Sequence, residues 1–151
     1  MASFGLASRF KVGAELAETT TNLVYHSTTR PGVADDILRN GIDPNFFNSA
    51  SRFGKGFYVG NSPSTTIAEL GYHGYSRVNT IRYTLENAKL FNATGRIRIW
   101  DIGVKYTPRL LGKGARLFNY DGIIFNSLRS SGTNTVLFKN FGTLRNGTKI
   151  F

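Results

Sequence analysis

The chain of 151 residues has no cysteine and only two histidines. Without thiols it can form neither a disulfide framework nor a thiolate zinc site. His26 and His73 stand 47 residues apart, with no pair of acids or thiol nearby, which is a poor pattern for a metal site. We therefore expect neither a bound metal nor metal-assisted catalysis.

Long apolar runs are also missing. No segment has the roughly 20 apolar residues of a membrane-spanning helix, and no signal-peptide-like apolar segment follows the first basic residues. Residues 1–20 are expected to form a short helix or a linker, and residues 21–151 a single domain. We expect a domain without membrane contacts that reaches the cytosol of a target cell as part of a larger secreted protein.

Acidic residues are scarce: nine aspartates and glutamates oppose nineteen lysines and arginines, a formal net charge of +10. Such a surface attracts polyanions and speeds encounters with nucleic acid. The densest basic stretch alternates with aromatic side chains that can stack on bases. Its basic members are Arg96, Arg98, Lys105, Arg109, Lys113 and Arg116, and its aromatic members are Trp100, Tyr106 and Phe118. The stretch favours a nucleic-acid-binding face; the alternatives are a pyrophosphate site or a merely solvated basic surface.

The composition, 40% hydrophobic and 13% aromatic, is typical of a globular domain with a real core. Alternating apolar residues predict strands, and a few segments have helical spacing. Strands are predicted at residues 22–26, 57–59, 79–85, 97–101, 120–125 and 134–138, with an edge strand at 148–151, and helices at residues 33–39 and from Ser62 to about Leu70. This mixture predicts the α+β class.

Two stretches together indicate a nucleotide pocket. Val24–Thr28 is a strand segment that contains a histidine, and residues 51–69 combine two glycine turns with a short aromatic strand and a helix start. Gly54 and Gly56 allow close backbone approach to a ligand. Ser62 before Pro63 is a good N-cap with proline in the first turn. The alternative is a glycine-rich hairpin with an ordinary packed tyrosine at position 58.

His26 followed by a hydroxyl residue, and then Phe53-Gly-Lys-Gly-Phe-Tyr58, resemble the first two motifs of the poly(ADP-ribose) polymerase branch of the ADP-ribosyltransferase superfamily. The resemblance implies that His26 holds a ribose of NAD and that Tyr58 stacks on the nicotinamide ring. It also implies that the backbone of Ser27 and the hydroxyl of Thr66 bind the carboxamide. We expect the side chains of His26 and Tyr58 to face one another across a cleft.

The later segment Asp121-Gly-Ile-Ile-Phe-x-Ser127-x-Arg129, followed by a Val-Leu-Phe strand, resembles the RES-domain branch of the same superfamily. Those toxins consume NAD by hydrolysis or phosphorolysis, and the resemblance implies functional roles for Glu69 and Ser127. The chain departs from both branches. The late-strand glutamate of the polymerases falls on Asn134 or Thr135, and the first-motif arginine of the RES domains falls on His26.

The superfamily resemblance implies a split β-sheet sandwich with short helices around a cleft for NAD, which is a substrate here. The carboxylate that stabilises the ribosyl cation is expected to be Glu69, with Asp121 second, and Asn134 is a further candidate for the catalytic set. The alternative for Asp121 is a turn aspartate that caps its own backbone. The remaining predicted NAD contacts are Thr28, Arg30, Arg52, Gly56 and Phe57.

Charge favours transfer of ADP-ribose to a macromolecule, with RNA preferred over a protein acceptor. The first alternative is an NAD-depleting toxin, either a glycohydrolase or a phosphorylase. The second is a non-catalytic basic module that binds RNA on a sheet face. A toxin of either enzymatic kind is expected to have a cognate immunity protein as partner.

Overall fold

Residues 22–71, 78–94 and 106–151 are described by the structure, a computed structural model. In these ranges the strands are β1 (Asn22–Thr28), β2 (Phe57–Gly60), β3 (Asn79–Leu85), β4 (Leu90–Asn92), β5 (Gly122–Asn126), β6 (Thr133–Leu137) and β7 (Leu144–Lys149). The α-helices are α1 (Val33–Asn40), α2 (Pro63–Glu69) and α3 (Tyr106–Leu117), and short 3₁₀ turns cover Pro44–Phe46 and Phe141–Thr143. The predicted α+β class is confirmed.

The strands form one sheet in the order β4-β5-β6-β2-β1-β3-β7. Only β4 and β5 run parallel; the other neighbours are antiparallel. The joint between β1 and β2 is weak, because a single residue pair, Tyr25 with Gly60, is in register there. By contrast, β1 pairs with β3 along its whole length, from Asn22 to Thr28. The seven strands are therefore one continuous sheet whose weakest joint, between β1 and β2, lies where the predicted sandwich would divide.

Two apolar clusters occupy opposite faces of this sheet. The inner cluster joins side chains from both sides of this joint, including Val24 and Ile81 on one side and Phe57 and Leu137 on the other. For these residues to share one core, the two parts of the sheet must curl towards each other. The outer cluster packs Ile123, Phe125 and Val136 of the sheet against Leu111 and Ala115 of α3.

The ends of α1 and α2 follow from local chemistry. Helix α1 begins after Gly32, which has φ 78°, and ends at Gly41, which has φ 85°; both values lie in the left-handed region that glycine adopts without strain. At the start of α2 the Ser62 side chain accepts a hydrogen bond from the Thr65 amide, and Pro63 occupies the first turn. Both helix predictions are confirmed.

Helix α3 was not predicted from the sequence. Pro108, Gly112 and Gly114 lower its intrinsic helix propensity, so packing of its apolar face against the sheet has to stabilise it. The edge strand β7 spans 144–149 rather than 148–151. The predictions for residues 1–20, for His73 and for the strand at 97–101 lie outside the described residues.

Candidate functional site

Glu69, Ser127 and Asn134 meet on the outer face of the sheet. The Ser127 hydroxyl donates a hydrogen bond of 2.5 Å to Glu69 Oε1, and Asn134 Nδ2 donates one of 3.0 Å to the same oxygen. Glu69 ends α2, Ser127 follows β5 and Asn134 lies in β6. Fifty-eight residues separate Glu69 from Ser127 in the chain, so this contact is a product of the tertiary fold.

A glycine allows α2 to approach the sheet closely enough to place Glu69. A Cβ built on Gly60 of β2 would lie 2.7 Å from Thr66 Cγ2 and 3.1 Å from Asn134 Oδ1. Any larger residue would therefore push α2 away from β2 and β6. The close packing brings the C-terminal end of α2 to the ends of the strands that supply Ser127 and Asn134.

The Ser127 hydroxyl has a fixed orientation. Its oxygen accepts hydrogen bonds from the amides of Arg129 and Ser130, both at 3.1 Å, so its one proton is left for Glu69. Glu69 Oε1 thus receives two donors, whereas no side chain in the described part of the chain donates to Oε2. Glu69 is an exposed residue.

Arg52 adds a cation to this face. Its guanidinium lies 5.4 Å from the ring centre of Phe53 and 5.3 Å from that of Phe125, and it donates a long 3.5 Å bond to the Asn126 carbonyl. Burial lowers the pKa of Arg52, and the Glu69 carboxylate opposes this shift. These two described residues do not form a salt bridge, so each keeps hydrogen-bonding capacity for a ligand.

Tyr58 braces the loop that carries Arg52. Its hydroxyl donates to the Gly54 carbonyl at 2.9 Å and accepts from the Phe53 amide at 3.0 Å, while its ring meets Phe125 edge-on with centroids 6.3 Å apart. Burial raises the pKa of Tyr58 to about 12, so the phenol stays protonated at neutral pH. We call residues 51–56 the arginine loop.

His26 does not face the Tyr58 side chain, contrary to the sequence-based expectation. Its ring stacks on Phe57 at a centroid distance of 4.1 Å, and its Nδ1 donates to the Tyr58 main-chain carbonyl at 2.8 Å. Successive residues of a strand point to opposite faces, so an imidazole on Phe57 lies on the inner face while the Tyr58 ring lies on the outer one. His26 thus links β1 to β2. Burial lowers the pKa of its imidazole.

Ser27 and Thr66 join two elements through a chain of hydroxyls. Thr66 donates to the Pro63 carbonyl at 2.9 Å, so it must accept from Ser27 Oγ at 2.6 Å. Ser27 in turn must accept from Thr80 at 2.7 Å. These buried side chains tie α2 to β1 and β3, and their hydroxyl protons are all directed within the protein.

The other predicted NAD contacts are spread over the molecule. Phe57 is buried in the inner cluster, and Gly56 packs against β6, where an added Cβ would lie 2.4 Å from Val136 Cγ2. The amide of exposed Arg30 donates to Thr28 Oγ1 at 3.2 Å in the turn after β1. None of these four residues hydrogen-bonds to Glu69, Ser127 or Asn134.

Asp121 lies at the opposite end of β5 from Ser127, about 20 Å away at roughly 3.3 Å per residue. Its carboxylate accepts from the Lys89 amide at 2.8 Å and from Asn140 Nδ2 at 2.5 Å. The side chain is 6% exposed and both oxygens are engaged. The structure therefore separates Asp121 from the Glu69 cluster and ties it to two neighbouring segments, which is why we do not include it in the proposed reacting site.

Part of the basic stretch is used within the protein. Arg116 donates to the Phe53 carbonyl at 3.2 Å and to the Lys55 carbonyl at 2.5 Å, and it lies 3.9 Å above the Phe138 ring. Arg109 and Lys113 of α3 are exposed. The stretch before α3 lies outside the described residues. Arg116 therefore fits a structural contact rather than a free nucleic-acid contact.

Sequence patterns did not indicate the roles of Phe125 and Arg116 at this site. Phe125 is a core residue of β5 whose ring forms a platform for Arg52. Arg116 acts across a sequence separation of 61 residues from Lys55. Both roles depend on the packing of α3 and β5 beside the arginine loop, so no local sequence signal could have revealed them.

Among the described residues, no group of three or more histidine, cysteine or acidic side chains could hold a metal ion. None of the described helices is long and apolar enough to cross a bilayer.

Comparison with solved structures shows a similarity of fold. No protein-family model matches the chain. No curated protein matches it either. The fold is similar to that of a chain in the crystal structure of the M. tuberculosis MbcT–MbcA toxin–antitoxin complex, with a TM-score of 0.60 and 14% sequence identity. The match covers 97% of this chain and 92% of the other, so the two share an overall fold.

Proposed function

We propose that this protein is a toxin enzyme that consumes NAD by breaking its nicotinamide–ribose bond. The observation that carries the proposal is the convergence of Glu69, Ser127 and Asn134 on one face, with Arg52 in electrostatic range. Glu69 and Ser127 are the two residues for which the RES-domain resemblance implies function. The similarity to a chain of a toxin–antitoxin complex supports the assignment as a toxin.

The proposed chemistry needs an anion beside the reacting ribose carbon. As the carbon–nitrogen bond breaks, its electron pair stays on the nicotinamide nitrogen and positive charge develops on the ribose. Glu69 Oε2 stabilises that charge, while Ser127 and Asn134 hold the carboxylate in place through Oε1. Water then adds to the ribose carbon and releases a proton to solvent, or phosphate adds in its place.

Arg52 is assigned to the pyrophosphate of NAD. Arginine binds phosphate oxygens with paired, charge-assisted hydrogen bonds, and the stacked guanidinium on Phe53 and Phe125 is already oriented. Tyr58 supports this assignment by bracing the loop on the same face. His26, Ser27 and Thr66 then maintain the joint between β1 and β2 and the position of α2 rather than touching the reacting atoms.

NAD consumption and transfer differ in what receives the ADP-ribose: water or phosphate in the first case, RNA or protein in the second. The outer-face cluster offers a carboxylate and a cation suited to NAD breakdown, and Arg116, one of the basic residues expected to bind RNA, is used within the protein. We therefore favour NAD consumption over transfer. We also propose that a cognate antitoxin or immunity protein binds the enzyme and that it acts in the cytosol of the cell it poisons.

Product analysis tests the proposal. Purified protein is incubated with NAD in buffers with and without phosphate, and the products are separated and weighed by mass spectrometry. We expect free nicotinamide together with ADP-ribose, or with ADP-ribose phosphate when phosphate is present. Intact NAD after long incubation with folded protein would refute the proposal and favour the non-catalytic module.

A further inference from the structure

We propose that Arg116 is a positioning residue that fixes the arginine loop and, through it, the substrate contact of Arg52. This inference rests on the proposed function for its kinetic part. The loop is held at one residue, Phe53, through both of its main-chain polar groups. The Phe53 amide donates to the Tyr58 hydroxyl at 3.0 Å, and the Phe53 carbonyl accepts from Arg116 at 3.2 Å.

Helix α3 packs closely enough against the arginine loop for Arg116 to reach it. A Cβ on Gly112 would lie 2.2 Å from the Phe53 carbonyl oxygen, so only glycine permits the observed approach. Arg116 lies one helical turn further on, with its guanidinium above the Phe138 ring at 3.9 Å. From there it also donates to the Lys55 carbonyl at 2.5 Å.

The consequence for Arg52 follows from chain connectivity. Arg52 directly precedes Phe53, and its guanidinium rests partly on the Phe53 ring, which is fully buried and lies 4.5 Å from the Phe125 ring centre. Releasing the Phe53 carbonyl frees the loop backbone and with it the direction of Arg52. A lysine at position 116 cannot replace the arginine, because one ammonium lacks the planar fork that reaches two carbonyls and stacks on a ring.

A double-mutant cycle tests the coupling in nicotinamide release. Arg116→Met should raise KM for NAD about tenfold, as expected for losing hydrogen bonds that orient a charged contact, with kcat changed less than about threefold. Arg52→Gln should raise KM at least as much. If Arg116 acts through Arg52, the double variant should match Arg52→Gln alone.

Two variants serve as controls. Lys113→Met removes an exposed cation from the same helix and should leave KM unchanged. Arg116→Lys retains the charge and the stem but not the planar fork, so it should also raise KM, by less than Arg116→Met. It takes the place of Arg116→Met if that variant folds poorly. If the KM increases of Arg52→Gln and Arg116→Met multiply in the double variant, the two residues act independently and the inference is overturned. A normal KM in Arg116→Met would overturn it as well.

A second measurement does not depend on NAD turnover. Trypsin cleaves after Arg52 and Lys55 only when the loop opens, so Arg116→Met should speed native-state cleavage at these bonds about tenfold relative to wild type and Lys113→Met. Unchanged cleavage would refute the positioning role. If cleavage accelerates but no variant or wild-type protein releases nicotinamide, the proposed function fails while the loop contact stands.

Discussion

At the scale of single residues, the two oxygens of Glu69 have different environments. Oε1 is held by Ser127 and Asn134, which fix the carboxylate without covering it. An exposed carboxylate would otherwise sample several rotamers, and ordering it in advance lowers the cost of stabilising a developing charge. Under the proposed function, Glu69 is then the reacting group, and Ser127 and Asn134 orient it.

His26 gives a prediction at the same scale. Its pKa is lowered by burial from the usual 6.5, so below about pH 6.5 the unfolded chain binds a proton that the folded protein does not. Stability should therefore fall as the pH drops from 7 towards 5. In His26→Asn the amide can still donate to the Tyr58 carbonyl, and the fall should be shallower.

Urea unfolding of both proteins across this pH range measures the difference in slope. If the unfolding free energies of wild type and His26→Asn change in parallel with pH, the imidazole has the same protonation in the folded and the unfolded protein, which would contradict the prediction. The comparison is internal, because the acidic residues are the same in both proteins.

Residue identity could be predicted from sequence better than side-chain direction. Motif spacing named Glu69 and Ser127, which the fold brings into contact. It also named His26 and Tyr58, whose side chains lie on opposite faces of the sheet. The face on which each of these side chains lies depends on how β1 and β2 diverge beyond the single Tyr25–Gly60 pair. That divergence is set by the packing of the sheet on both sides of this joint.

At the scale of secondary-structure elements, Asp121 joins three segments that are distant in sequence. It bonds the residue before β4 and the turn before β7 while it stands at the start of β5. Asp121→Ala should lower the free energy of unfolding by about 2–3 kcal/mol, because two partly buried donors lose the carboxylate that accepts their hydrogen bonds. Nicotinamide release per folded molecule should stay near wild type.

Asp35→Ala is the matched control, since among the described residues its carboxylate bonds Lys149 alone, in an exposed ion pair of 3.3 Å. Its loss should cost less than about 1 kcal/mol in urea unfolding. An Asp121→Ala protein that is as stable as Asp35→Ala but inactive would return Asp121 to the catalytic set.

Element prediction failed where local propensity and tertiary packing disagree. Helices α1 and α2 have clear caps and were predicted, whereas α3 contains proline and two glycines and was not. One of these glycines serves a contact, because a Cβ on Gly112 would lie 2.2 Å from the Phe53 carbonyl oxygen. The feature that hides the helix in the sequence is the feature that lets it support the arginine loop.

At the scale of the whole molecule, the charge of +10 remains the main argument for a polyanionic acceptor. Under the proposed function, replacing the exposed Arg109 and Lys113 by glutamine should leave cleavage of free NAD unchanged. With NAD labelled in its adenylate part and a total cell lysate, the label should stay in the small-molecule fraction.

Label that nuclease releases from a macromolecule would instead favour transfer to RNA. Its yield should then fall in the Arg109→Gln, Lys113→Gln variant and with salt, with a log–log slope of about −0.7 to −0.9 per phosphate contact. Label released by protease alone would indicate a protein acceptor.

The central claim is that the Glu69 carboxylate drives NAD breakdown, and the rate of nicotinamide release by Glu69→Gln tests it most directly. Glutamine keeps an oxygen that can accept from Ser127 and Asn134, so only the charge is removed. The account predicts a loss of about a hundredfold or more, equivalent to about 3 kcal/mol, in a variant as stable as wild type. A Glu69→Gln protein that releases nicotinamide at nearly the wild-type rate would contradict it.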